Sequence, residues 1–175
     1  MQTFKIALTI IIALFLQMLL PEHLRFFRYI DLPLLVTVYF SLQRAPFLAM
    51  TVGMVAGVGG DAIGGGILGV GGFSKILIGY LIAVTSIKFS LENPLVRLLV
   101  VAPASATNTI LFAGLNLMLE QFLPNLDTWG AFGKNLAWKV LADTVTALFL
   151  FIALDRVFVE QSQARRMAIK RRFYD

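Results

Sequence analysis

Few residues in this chain carry side chains able to do chemistry, and most of them sit inside apolar runs. Asp61 stands alone in the middle of GMVAGVGGDAIGGGILGVGG, residues 53–72. Lys139 and Asp143 are four apart and so share one helix face, where they could relay a proton or neutralise each other. Ser105, Thr107, Asn108, Thr109 and Asn116 give one apolar run a polar centre, suited to lining a ligand pocket or to hydrogen bonding between helices. His23 is the only histidine, and no nucleophile or ligand cluster accompanies it. Without cysteine there is neither a disulfide framework nor a thiolate metal site. No Gly-Lys-Ser/Thr follows the glycines, so they do not form a phosphate loop. An enzyme acting on membrane lipids needs a clustered acid, base or metal set, and these residues do not assemble one. No catalytic residue, metal or cofactor is expected.

The elements that hold these residues are set by composition. Hydrophobic residues make up 58% of the chain and charged residues 14%, against about 25% charged in soluble domains. At ~20 residues per span, 175 residues allow about six transmembrane helices with short loops. The expected fold is an all-α integral membrane protein with one polytopic domain over residues 1–160 and a basic tail over 161–175.

Ten of the fourteen glycines lie in residues 53–72. Gly53, Gly57, Asp61, Gly65 and Gly69 recur at every fourth position, which aligns them on one helix face. Small residues at that step let a second backbone approach closely, the usual basis of helix packing in lipid. Glycine also weakens a helix by ~1 kcal/mol relative to alanine. The stretch therefore predicts a hairpin between helices 3 and 4, the first ending near Gly59–Gly60 and the second beginning near Gly72. Asp61 either caps that bend or fixes it for a partner helix. The glycine faces serve packing within the chain or contact with a partner, and Gly79 is a further close-packing candidate.

In order, the first span covers about Phe4 to Leu20 and reads as a retained anchor, because no small-x-small cleavage site follows it. Residues 21–31 read as a loop. The run Leu32–Leu42 is short, so it is either extended backward through Phe26 or a buried half-span. The third helix begins at Phe47. The fourth runs from Phe73 to Phe89 between Lys75 and Lys88, and Glu92-Asn93-Pro94 is a turn. The fifth runs from Leu95 to about Phe122 with a kink at Pro103. Pro124–Gly133 reads as an outer loop with Trp129 at the interface, and the sixth span covers Leu136 to Val159.

Charge gives orientation and part of the partner list. With the tail in the cytoplasm, Lys5, Arg44, Lys88, Arg97, Arg156 and the tail cations Arg165, Arg166, Lys170, Arg171 and Arg172 lie inside. Arg25, Arg28, Lys75, Lys134 and Lys139 lie outside, so basic residues favour both termini inside. The net charge of +5 is thus a topology signal and not a nucleic-acid site. The tail could also attract anionic lipid or dock an acidic cytoplasmic partner.

The pattern Gly57-x3-Asp61-x3-Gly65-x3-Gly69, preceded by Gly53 and followed by Gly79-Tyr80-Leu81, resembles the signature hairpin of the rod-shape-determining membrane protein MreD family. Asp31-Leu32, Leu34-Leu35-Val36, Val38-Tyr39 and the following Arg44 are similar too. This chain is richer in glycine than the family pattern, at Gly59, Gly60, Gly64, Gly66, Gly71 and Gly72. The resemblance implies a non-enzymatic scaffold of the bacterial elongation machinery in the inner membrane. It implies association with MreC, and through it with a wall-synthesising glycosyltransferase/transpeptidase pair and the actin-like MreB. It further implies a fold similar to the membrane subunits of energy-coupling-factor transporters. Fold likeness alone does not carry function. The alternative is a subunit that captures a small, vitamin-like solute, which requires Asn108, Asn116 and Asp61 to converge on an enclosed pocket.

Overall fold

The computed structural model describes residues 2–23, 29–89, 94–119 and 129–158. These residues form six helices: α1 (Gln2–His23), α2 (Leu32–Ser41), α3 (Pro46–Gly64), α4 (Val70–Lys88), α5 (Pro94–Met118) and α6 (Trp129–Val157). No strand occurs among the described residues. Four helices, α3 to α6, are long and apolar enough to cross a membrane; Thr3–Leu19 within α1 and Leu32–Ser41 are shorter apolar helices. The described residues thus hold six helices, as many as the expected spans, and four of them have spanning length.

The short helix is the centre of the molecule. α2 packs against all five other helices, and every residue from Leu32 to Ser41 is buried. Its ten residues cover about 15 Å at 1.5 Å each, half of a hydrocarbon core. Of the two readings of this run, the buried half-span is the one realised. Val36, Thr37 and Val38 are β-branched and weak helix formers, so burial and capping sustain α2. Asp31 is its N-cap, accepting from the Leu34 N–H at 3.0 Å, and Pro33 occupies the first turn, where no amide is missed. The two hydroxyls are satisfied within the helix, Thr37 Oγ1 donating to the Pro33 carbonyl and Ser41 Oγ to that of Thr37. Near its C-terminus, Tyr39 and Phe40 make edge-on and tilted contacts with Phe151 and Phe158 of the α6 end.

α3 and α4 run antiparallel in close contact. A Cβ on Gly53 would lie 2.7 Å from the Lys75 carbonyl oxygen, and one on Gly57 would lie 2.5 Å from the backbone of Gly71 and Gly72. A Cβ on Gly79 would lie 3.0 Å from the Ala49 carbonyl oxygen. The chain reverses through residues 65–69, with Gly65 at φ +68° and Gly69 at φ +101°, both left-handed. The break falls later than the glycine content predicts: α3 continues past Gly59–Gly60 to Gly64, and α4 already begins at Val70. The helix penalty of glycine is outweighed where the same glycines admit a second backbone.

Other boundaries shift as well. α1 continues through Pro21 to His23, α5 ends at Met118 and not near Phe122, and the described part of the expected outer loop, Trp129–Gly133, is the first turn of α6. Arg25, Arg28, Glu92, Asn93, the loop residues 120–128 and the tail cations Arg165, Arg166, Lys170, Arg171 and Arg172 lie outside the described residues.

Candidate functional site

Five buried polar residues, Ser74, Lys75, Ser105, Asn108 and Asp143, gather with Asp31 around the N-terminus of α2. Asp31 Oδ2 accepts from Lys75 Nζ of α4 at 3.0 Å and from Asn108 Nδ2 of α5 at 3.2 Å. The Asp31 N–H donates to Asp143 Oδ1 of α6 at 2.8 Å. The other oxygen of Asp143 accepts from the Ser105 hydroxyl and lies 3.6 Å from Lys139 Nζ. Ser74 Oγ donates to Asn108 Oδ1 and to the Gly71 carbonyl. From α1, Gln17 donates through Nε2 to the Ile30 carbonyl and accepts at Oε1 from the Leu32 N–H.

This arrangement answers two costs at once. A helix that starts inside a protein leaves amide groups without partners, and its positive dipole end favours carboxylates nearby. Asp31 and Asp143 supply the carboxylates, and Lys75 and Lys139 balance their charge. Asp143 is wholly buried and Lys75 is 6% exposed, a placement that charged groups tolerate only when paired and hydrogen-bonded. Chemically, the cluster is a set of closed pairs. It ties α2 to α1, α4, α5 and α6 and presents no unpaired acid or base for a reaction.

Asp61 forms a second closed unit. Its carboxylate accepts from the backbone N–H groups of Gly69, Gly71 and Gly72. These are the amides that the start of α4 leaves free, so a residue near the end of α3 caps the following helix. Of the two readings of Asp61, the cap is the geometry found.

The expected site residues therefore separate into several places. Gly53, Gly57 and Gly79 lie in the α3–α4 contact, with backbone of the same chain filling the space their side chains leave. Gly65 and Gly69 form the turn and face open space. Asn108 joins the central cluster, whereas Asn116 bonds the Phe112 carbonyl of its own helix and Thr109 that of Ser105. Asp61, Asn108 and Asn116 thus do not converge on one pocket. Lys139 and Asp143 are paired, with Asp143 wholly buried. Among the described residues, no group of three or more His, Asp or Glu side chains is placed to hold a metal.

Sequence reasoning missed the Asp31–Lys75 pair, assigning Asp31 to a loop and Lys75 to a span edge. Both left a signal. Asp31 precedes an apolar run with proline at its second residue, a helix-start pattern. Lys75 lies five residues into α4, where a lysine calls for a counter-charge.

A second ionic contact lies toward the other end of α2. Arg97 of α5 pairs with Asp155 of α6 at 3.1 Å, and Tyr39 donates its hydroxyl to Asp155 at 3.0 Å.

No curated protein matches the chain, and no solved structure does, so the expected likeness to energy-coupling-factor subunits has no solved counterpart behind it. The family model described as rod shape-determining protein MreD matches residues 1–158.

Proposed function

Because the chain belongs to the MreD family of rod shape-determining proteins, we propose that it is a non-enzymatic scaffold of the bacterial elongation complex. Membership and the four span-length helices make it a multi-pass membrane protein with a role in rod-shape determination. In the proposed role it sits in the inner membrane with both termini in the cytoplasm. It binds MreC and links the wall-synthesising glycosyltransferase/transpeptidase pair to MreB. The basic tail, Arg165 to Arg172, faces anionic lipid or the cytoskeletal side.

The observation that carries this reading is the family match over residues 1–158. The geometry is consistent with a binding role. Its buried charges are engaged by one another or by backbone amides, and its outward surface is apolar, with Phe4, Phe47 and Phe149 each more than 65% exposed. Since Gly53, Gly57 and Gly79 are occupied within the chain, the partner helix of MreC is assigned to these outward faces and not to the glycine ladder.

Purification from native membranes in mild detergent tests the proposal. MreC is expected in the eluate in fixed ratio to this chain. Its absence under conditions that preserve other membrane complexes would count against the scaffold role.

A further inference from the structure

Between α4 and α5 lies a groove of about 270 Å³, open to the side of the molecule. Ile78, Leu81 and Thr85 form one wall, and Leu99, Pro103 and Thr107 the other. Pro103 lies inside α5, where its ring displaces the neighbouring turn and the Leu99 carbonyl loses its usual amide donor. The lining is almost wholly apolar, with the two threonine hydroxyls as its polar groups. An empty recess of this kind forfeits dispersion contacts along both walls.

Two observations identify what fills it. The first is width. The lining covers about two turns of each helix, and about 270 Å³ over that length is too narrow for a helix of ~10 Å diameter and suits a single unbranched chain. The second is charge. Leu81, Thr85 and Lys88 follow one another at steps of four and three, placing Lys88 one turn beyond the groove on the same side of α4. Lys88 is exposed, lies in the last turn of α4, and pairs with no carboxylate among the described residues. Its long stem can lie along apolar surface while the ammonium reaches the headgroup layer.

We propose that the α4–α5 groove binds one acyl chain of an anionic phospholipid whose phosphate pairs with Lys88. The site is separate from the buried cluster around Asp31 and does not depend on the scaffold reading.

The test is native mass spectrometry of the full-length, delipidated protein titrated with phosphatidylglycerol or phosphatidylcholine. The unaltered protein should retain one phosphatidylglycerol in preference to phosphatidylcholine. Lys88→Gln should weaken phosphatidylglycerol binding about fivefold, the factor one lysine contributes near an anionic surface, and leave phosphatidylcholine binding unchanged. Leu99→Trp and Thr85→Trp, which fill the groove from opposite walls at exposed positions, should each abolish the preferred lipid. The proposal is overturned if both tryptophan variants keep the lipid at unaltered thermal stability, or if the unaltered protein shows no preference for phosphatidylglycerol. A photo-crosslinker at Leu99 that captures a protein helix from native membranes, in place of lipid, would also overturn it.

Discussion

Lys75 of α4 and Asp31 at the start of α2 meet at 3.0 Å, with the lysine 7% and the aspartate 17% exposed in their side chains. The contact joins a long helix to a half-length one and fixes where the shorter begins. Lys75 lies in the second turn of α4, five residues after its start.

Removing one member of this pair should be costly. Lys75→Met leaves Asp31 buried with only Asn108 and the Leu34 amide as partners, and the expected loss is ~3–5 kcal/mol. Asp31→Asn combined with Lys75→Met removes both charges and should recover a large part of that loss. Thermal unfolding of the single and double variants in detergent gives the coupling. Strict additivity of the two would show that the pair is not energetically joined.

The glycines divide into essential and replaceable positions. Gly57→Ala places a methyl carbon 2.5 Å from the Gly71–Gly72 backbone, which cannot yield without opening α3 from α4. Gly60→Ala meets only the Pro33 ring at 3.8 Å, and should be neutral or stabilising by up to ~1 kcal/mol through helix propensity. Gly65→Ala has space but sits at φ +68° and should lose ~1–2 kcal/mol. Detergent stability ranks the three, and equal stability for the Gly57 and Gly60 variants would refute the close-packing account.

Asp61→Ala should act locally. The amides of Gly69, Gly71 and Gly72 lose a charged acceptor, so their hydrogen exchange should accelerate while that of α5 and α6 is unchanged. The expected loss is ~1.5–3 kcal/mol, the range for a hydrogen bond to a charged group. Uniform acceleration across the whole chain would instead indicate that Asp61 supports the entire fold.

Arg97 and Asp155 offer the contrasting case. The Asp155 side chain is 51% exposed, so screening limits the pair, and Arg97→Gln should cost at most about 1 kcal/mol. Added salt should lower the stability of the unaltered protein toward that of the variant. A loss as large as that for Lys75→Met would place this end of α2 under the same constraint as the other.

Gly53, Gly57 and Asp61 illustrate how legible the site was. Their spacing of four announced a close-packed helix face, but spacing alone does not say whose backbone arrives. That depended on α4 folding back, which the left-handed Gly65 and Gly69 permit and the Asp61 carboxylate holds. The half-span reading of Leu32–Ser41 was available from length alone. Its partners were not, because Lys75, Asn108 and Asp143 are 44 to 112 positions from Asp31.

The amino-acid sequence by itself determined that this is a helical membrane protein, because apolar run length and hydropathy are properties of contiguous residues. It also determined which helix faces could approach closely, because side-chain size and period are local. Tertiary structure alone decided where the helices around the glycines end, which charges pair, and that α2 lies buried at the centre. Those outcomes are set by residues distant in the chain competing for the same enclosed space, where each buried charge must find a partner.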